Sequence, residues 1–96
     1  MTNAHRGEVS LVIDGMERTL CLTLGALAEI ETALGASGFA ALADRLKTLS
    51  AGDLAAVLAA LLRGGGEADA ARTLVAAQLD FAEAARAVAD AFERAL

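Results

Sequence analysis

The chain has 96 residues, a net charge of −5, a pI near 4.6 and a composition that is 56% hydrophobic but only 3% aromatic. Such a length holds one small domain with a single modest core and excludes a second. The acidic balance, with 8 scattered basic residues, argues against a nucleic-acid ligand, which draws on clustered Lys and Arg, and a lone Cys21 excludes an intramolecular disulfide or a cysteine zinc site.

The first residues, MTNAHRGEVS, are polar, and residues 1–6 are expected to form a flexible tail. They lack the apolar run of an export signal, and no apolar stretch approaches the roughly 20 residues that a bilayer requires, so a soluble cytoplasmic protein is expected. From Gly7 the pattern changes. Val9, Leu11 and Ile13 alternate with Glu8, Ser10 and Val12, Asp14-Gly15 supplies a two-residue turn that tolerates positive φ, and Leu20, Leu22 and Leu24 resume the alternation. The spacing predicts a hairpin over 7–22, with Ile13 opposite Met16, Leu11 opposite Arg18 and Val9 opposite Leu20. One face is then apolar except for Arg18, which is expected to snorkel from the sheet edge or to pair with a helix carboxylate such as Glu29.

Thr23 caps a predicted helix over about 24–34, with Leu24, Leu27, Ile30 and Leu34 at helical spacing and Gly35 at the left-handed C-cap. Phe39, Leu42, Leu46 and Leu49 predict a second helix over 38–49, with Ser37 as its cap. Ser50 and Asp53 have the form of a capping box, and Leu54, Val57, Leu58, Leu61 and Leu62 mark a third helix over 53–63. The run Gly64-Gly65-Gly66 reads as a flexible joint. Beyond it, Leu74, Val75 and Leu79 predict a helix over 67–79, and Phe81, Val88 and Phe92 predict another over 81–95, capped by Asp80. The expected fold class is α+β and mainly helical: an N-terminal hairpin followed by four to five short amphipathic helices, forming one domain over 7–96.

No catalytic constellation emerges. His5 sits in the tail without converging ligands, and Cys21 lies within a strand with no base or helix N-terminus beside it. Glu29 and Glu31 fall on different helix faces, Ser10, Ser37 and Ser50 lack a nucleophile-elbow setting, and the three glycines follow a helix, whereas phosphate loops follow a strand. An enzyme is therefore not expected, nor a cofactor or metal. A helix-turn-helix regulator is disfavoured because its recognition helix would want basic groups, and the 8 basic residues here are scattered. About a quarter of the chain is Ala and the mean hydropathy is +0.51, so a thin core leaves apolar helix surface for a partner helix or for self-association. Leu54, Val57, Leu58, Leu61, Phe81, Val88 and Phe92, together with Arg18, are the candidate protein-binding residues.

The order HRGEVSLVIDGMERTLCLTLGALAEIETALG, then short amphipathic helices with a Leu-rich stripe and glycines over 54–66, then AARAVADAFERAL, resembles a known family. It is similar to the small tail protein of gene transfer agent and prophage clusters, grouped with phage tail assembly chaperones and sometimes labelled a tail tube protein. The resemblance is closest over residues 5–35. It implies a non-enzymatic role in tail morphogenesis, as a chaperone that holds the helical, aggregation-prone tape measure protein. The alternative that it implies is a structural tail or tail tube subunit associated with the particle, although a tube subunit ordinarily needs more strands than one hairpin provides. Neither alternative involves nucleic acid or membrane.

Overall fold

A computed structural model describes residues 7–95 of the chain; the predicted tail over 1–6, with His5, lies outside the described residues. Strands β1 (Glu8–Ile13) and β2 (Met16–Cys21) pair antiparallel in the predicted register, with Val9 opposite Leu20, Leu11 opposite Arg18 and Ile13 opposite Met16. Asp14 and Gly15 both take positive φ, 53° and 75°, the primed turn whose twist matches that of the strands it joins. Alternation then sorts the side chains. Val9, Leu11, Ile13 and Leu20 are buried, while Ser10 and Val12 face solvent.

The hairpin runs directly into helix α1 (Leu24–Leu34), whose first turn is held by Thr23 Oγ1 accepting from the Ala26 amide at 3.1 Å and whose end is Gly35 at φ 64°. Helix α2 (Phe39–Arg45), α3 (Ala51–Gly64), α4 (Ala68–Arg72) and α5 (Phe81–Arg94) complete an α+β, mainly helical fold. Ser50 and Asp80 cap α3 and α5, their side chains accepting from the amides of Asp53 and Glu83. Helix α3 is the centre of the molecule. It contacts α1, α4, α5 and β2, and Val57, Leu61 and Leu62 are fully buried, each such side chain contributing about 2 kcal/mol of transfer free energy. Helix α5 closes the other side of the core against β1 and α3, and Phe92 stacks edge-on against Phe39 at 5.6 Å between ring centres.

Four expectations are corrected. The helix predicted over 38–49 stops at Arg45 and tightens into a 3-10 turn over Leu46–Thr48. Arg45 itself donates to the Leu34 carbonyl at 2.8 Å and to Asp53 at 3.0 Å, which ties the end of α2 to the elements on either side of it. Ser37 is not the cap of α2; Gly38 is, at φ 90°, and its amide donates to Glu31 at 2.8 Å. The helix predicted over 67–79 is only five residues of α4 followed by a 3-10 turn over Leu74–Ala76 and an extended stretch. A short helix is weakly favoured alone, and here tertiary pairing takes its C-terminal half: Gln78 donates its amide to Asp14 Oδ1 at 2.7 Å and accepts from the Asp14 amide at 2.8 Å.

The fourth correction concerns the glycines. They are not a loose joint, because Gly64 is the last residue of α3 and both Gly64 and Gly65 pack backbone to backbone on β2. A Cβ at Gly64 would lie 2.2 Å from the Cys21 carbonyl oxygen, and one at Gly65 would lie 2.1 Å from that of Thr19. Of these three glycines only Gly66, at φ 82°, serves a turn for conformational reasons. That turn brings Glu67 back onto β2, where it answers the anomaly of Arg18. Arg18 Nη1 lies 3.3 Å from Glu67 Oε1, and Glu67 Oε2 accepts the Thr19 amide at 2.9 Å. Glu29, one example of the helix carboxylate expected for Arg18, instead pairs with Arg63 at 2.9 Å and raises that guanidinium above its ordinary pKa through the hydrogen bond.

Candidate protein interface

Six of the candidate binding residues, Leu54, Val57, Leu58, Leu61, Val88 and Phe92, have relative exposures between 0% and 5% and form the core of this conformation. Arg18 is partly covered and engaged with Glu67. Phe81 alone among the eight is a widely exposed apolar side chain, at 63%. The stripes along α3 and α5 are thus consumed within the domain, against the hairpin, α1, α4 and each other, and the apolar surface beside Phe81 comes from where those stripes end.

That surface is built around the junction of the extended stretch and α5. Pairing of Gln78 with Asp14 pins the chain across the hairpin turn, and the Asp80 cap then starts α5 abruptly. Phe81 takes the first helical position, where a side chain projects beyond the packed turn. Leu74 inserts into the core at 6% exposure, which turns its neighbour Val75 outward at 90%. Between Val75 and Phe81 lies a groove of about 400 Å³ whose floor is Leu54, Ala55 and Leu58 of α3. On the far side of Phe81 a second hollow of about 240 Å³ is lined by Leu46, Leu49, Ala85 and Val88. No charged side chain lines the larger groove. Burial of an aliphatic or aromatic side chain is the chemistry that this surface offers; proton transfer is not.

Sequence reasoning missed Val75 as a surface residue because it placed Val75 on the core stripe of a helix that the structure breaks. The placement of Phe81 was legible: an Asp cap directly before an aromatic residue puts that aromatic at the helix start. Among the described residues no group of three or more His, Cys, Asp or Glu side chains converges as a metal site would require. No single helix among them is long and apolar enough to cross a membrane.

The family described as "Phage tail tube protein, GTA-gp10" matches over residues 6–96, nearly the whole chain. The chain belongs to this gene transfer agent and phage tail family. Its hairpin, helix order and glycine corner are therefore features of a tail protein. No curated protein and no solved structure matches the chain.

Proposed function

We propose that this member of the tail family is a non-enzymatic assembly chaperone, which binds the helical tape measure protein in the bacterial cytoplasm during tail morphogenesis and needs no cofactor. The observation that carries the proposal is the uncharged groove between Val75 and Phe81, an apolar surface with a floor of Leu54, Ala55 and Leu58 on a domain whose α3 and α5 stripes are internally satisfied. An amphipathic helix offers side chains at i, i+3 and i+4 that fit such a groove, and the −5 charge of the chain keeps the holdase itself from aggregating. Co-expression tests this. The cognate tape measure protein should be more soluble with the chain than without it and should co-purify with it; equal solubility and no complex reject the reading.

A second reading, a structural subunit of the tail or its tube, is favoured by the description of the family itself. The described residues contain a two-stranded sheet, less than a tube wall built from strands ordinarily uses. Purified particles separate the two: a structural subunit is present in stoichiometric amounts, and a chaperone is absent.

A further inference from the structure

The second surface lies away from the Phe81 groove, on the open edge of β1. In a hairpin closed by a two-residue turn, Ile13 and Met16 exchange hydrogen bonds, so the backbone groups of residues 9, 11 and 13 point toward β2 and those of 8, 10, 12 and 14 point away from it. Two observations confirm this phase: the Glu8 carbonyl accepts from Arg94 at 3.0 Å, and the Asp14 amide donates outward to Gln78 at 2.8 Å. Both ends of the edge are therefore closed. Between them, the outward amides and carbonyls of Ser10 and Val12 have no partner among the described residues. Beside them lies a hollow of about 220 Å³, walled by β1 and by Glu83, Arg86, Ala87 and Asp90 of α5.

We propose that this stretch receives a short extended segment of another, basic protein chain as a third strand of the sheet. The row of unpaired amides and carbonyls fixes the conformation of the occupant, since only an extended backbone satisfies them in series. The closed ends limit it to about four residues. Charge fixes its sign. One face of the added strand lies over α5, where Glu83 and Asp90 supply two carboxylates against the single guanidinium of Arg86, and none of the three forms an ion pair among the described residues. Lys or Arg at alternate positions meets those carboxylates, while the residues between them point to the opposite face of the sheet, beside the exposed side chains of Ser10 and Val12. A second copy of the chain fits poorly, because two-fold pairing through β1 brings both copies' Glu83 and Asp90 together across the axis, on proteins that each carry −5.

The test uses isotope-labelled chain titrated at millimolar concentration with acetyl-Lys-Val-Lys-Val-Lys-amide, read by amide chemical shifts, with acetyl-Glu-Val-Glu-Val-Glu-amide as control. The Lys peptide should shift the Ser10 and Val12 amides and bind at least about tenfold more tightly than the Glu peptide, a preference that Glu83→Gln with Asp90→Asn abolishes. Ser10→Pro removes one outward donor from an edge position where proline is tolerated, and should eliminate binding while circular dichroism stays unchanged. Should that variant unfold, Lys peptides methylated on alternate amides in the two phases replace it: one phase should lose binding and the other keep it. Absence of shifts at Ser10 and Val12, equal binding of both peptides, or a dimer in which those two amides are protected from exchange overturns the proposal.

Discussion

Along its outer edge β2 meets Gly64, Gly65 and Glu67 from the α3–α4 corner, whereas on the outer edge of β1 the outward backbone hydrogen bonds among the described residues are those of Glu8 and, just past the strand, Asp14. The two strands are similar in length and lie in one hairpin, yet one edge is sealed by backbone contact and the other keeps an open centre. The sealing depends on glycine, because only a residue without Cβ lets a helix end approach a strand at this distance. An edge that cannot be sealed in this way must be shortened, charged or used.

The largest break in this comparison comes from filling the sealed side. Gly65→Ala should destabilise the fold by about 3 kcal/mol, seen as a fall in the thermal or urea midpoint. Gly65 sits at φ −86°, which alanine adopts freely, so the loss measures the clash of the added Cβ with the backbone of Thr19 and Leu20. An unchanged midpoint rejects the close-packed corner and restores a loose linker. Gly64→Ala should also lose stability, even though alanine within a helix ordinarily gains about 1 kcal/mol over glycine.

Next in size is the carboxylate that closes the same edge. Glu67→Ala leaves the Thr19 amide and the Arg18 guanidinium without their partner and should cost about 1–2 kcal/mol in urea unfolding. Arg18→Met should be milder, at about 0.5 kcal/mol or less, since Arg18 Nε is already buried without a partner and methionine suits an apolar face. Equal losses from the two variants contradict the assignment of Glu67 as the cap of β2.

On the β1 side, Asp14→Ala should cost about 1 kcal/mol, because the residue both tolerates φ 53° and binds the Gln78 amide. Hydrogen exchange should then quicken at Gln78, and a change confined to the hairpin turn counts against the clamp. The smallest stability effect is expected at Phe81. Phe81→Ser should stay within about 0.5 kcal/mol of the parent while lowering recovery of the tape measure protein in co-expression. A large loss of stability shows instead that Phe81 belongs to the core.

Legibility followed the range of the interactions. The hairpin register was readable because alternation and an Asp-Gly turn lie within fourteen residues of each other, and a slip by one would put Val9, Leu11 and Ile13 in water. The cap residues Thr23, Ser50 and Asp80 were readable for the same reason, each bonding an amide three positions ahead. The stripe on α3 was correctly recognised as apolar, but amphipathic spacing carries no label saying whether the covering surface is the chain's own or a partner's. Hence Leu54, Val57, Leu58 and Leu61 were offered as binding residues and lie in the core.

The sequence by itself determined the elements whose causes are local: the hairpin and its register, the helix starts capped by Thr23, Ser50 and Asp80, and the α+β class. Only the tertiary structure decided what three glycines and a weak helix do. Gly64 and Gly65 look like a linker until β2 lies against them, and residues 73–79 look helical until Asp14 takes Gln78. These contacts join positions more than forty residues apart, as does the Arg18–Glu67 pair. No local pattern encodes such a contact, because its energy exists only after the chain has closed the intervening loop.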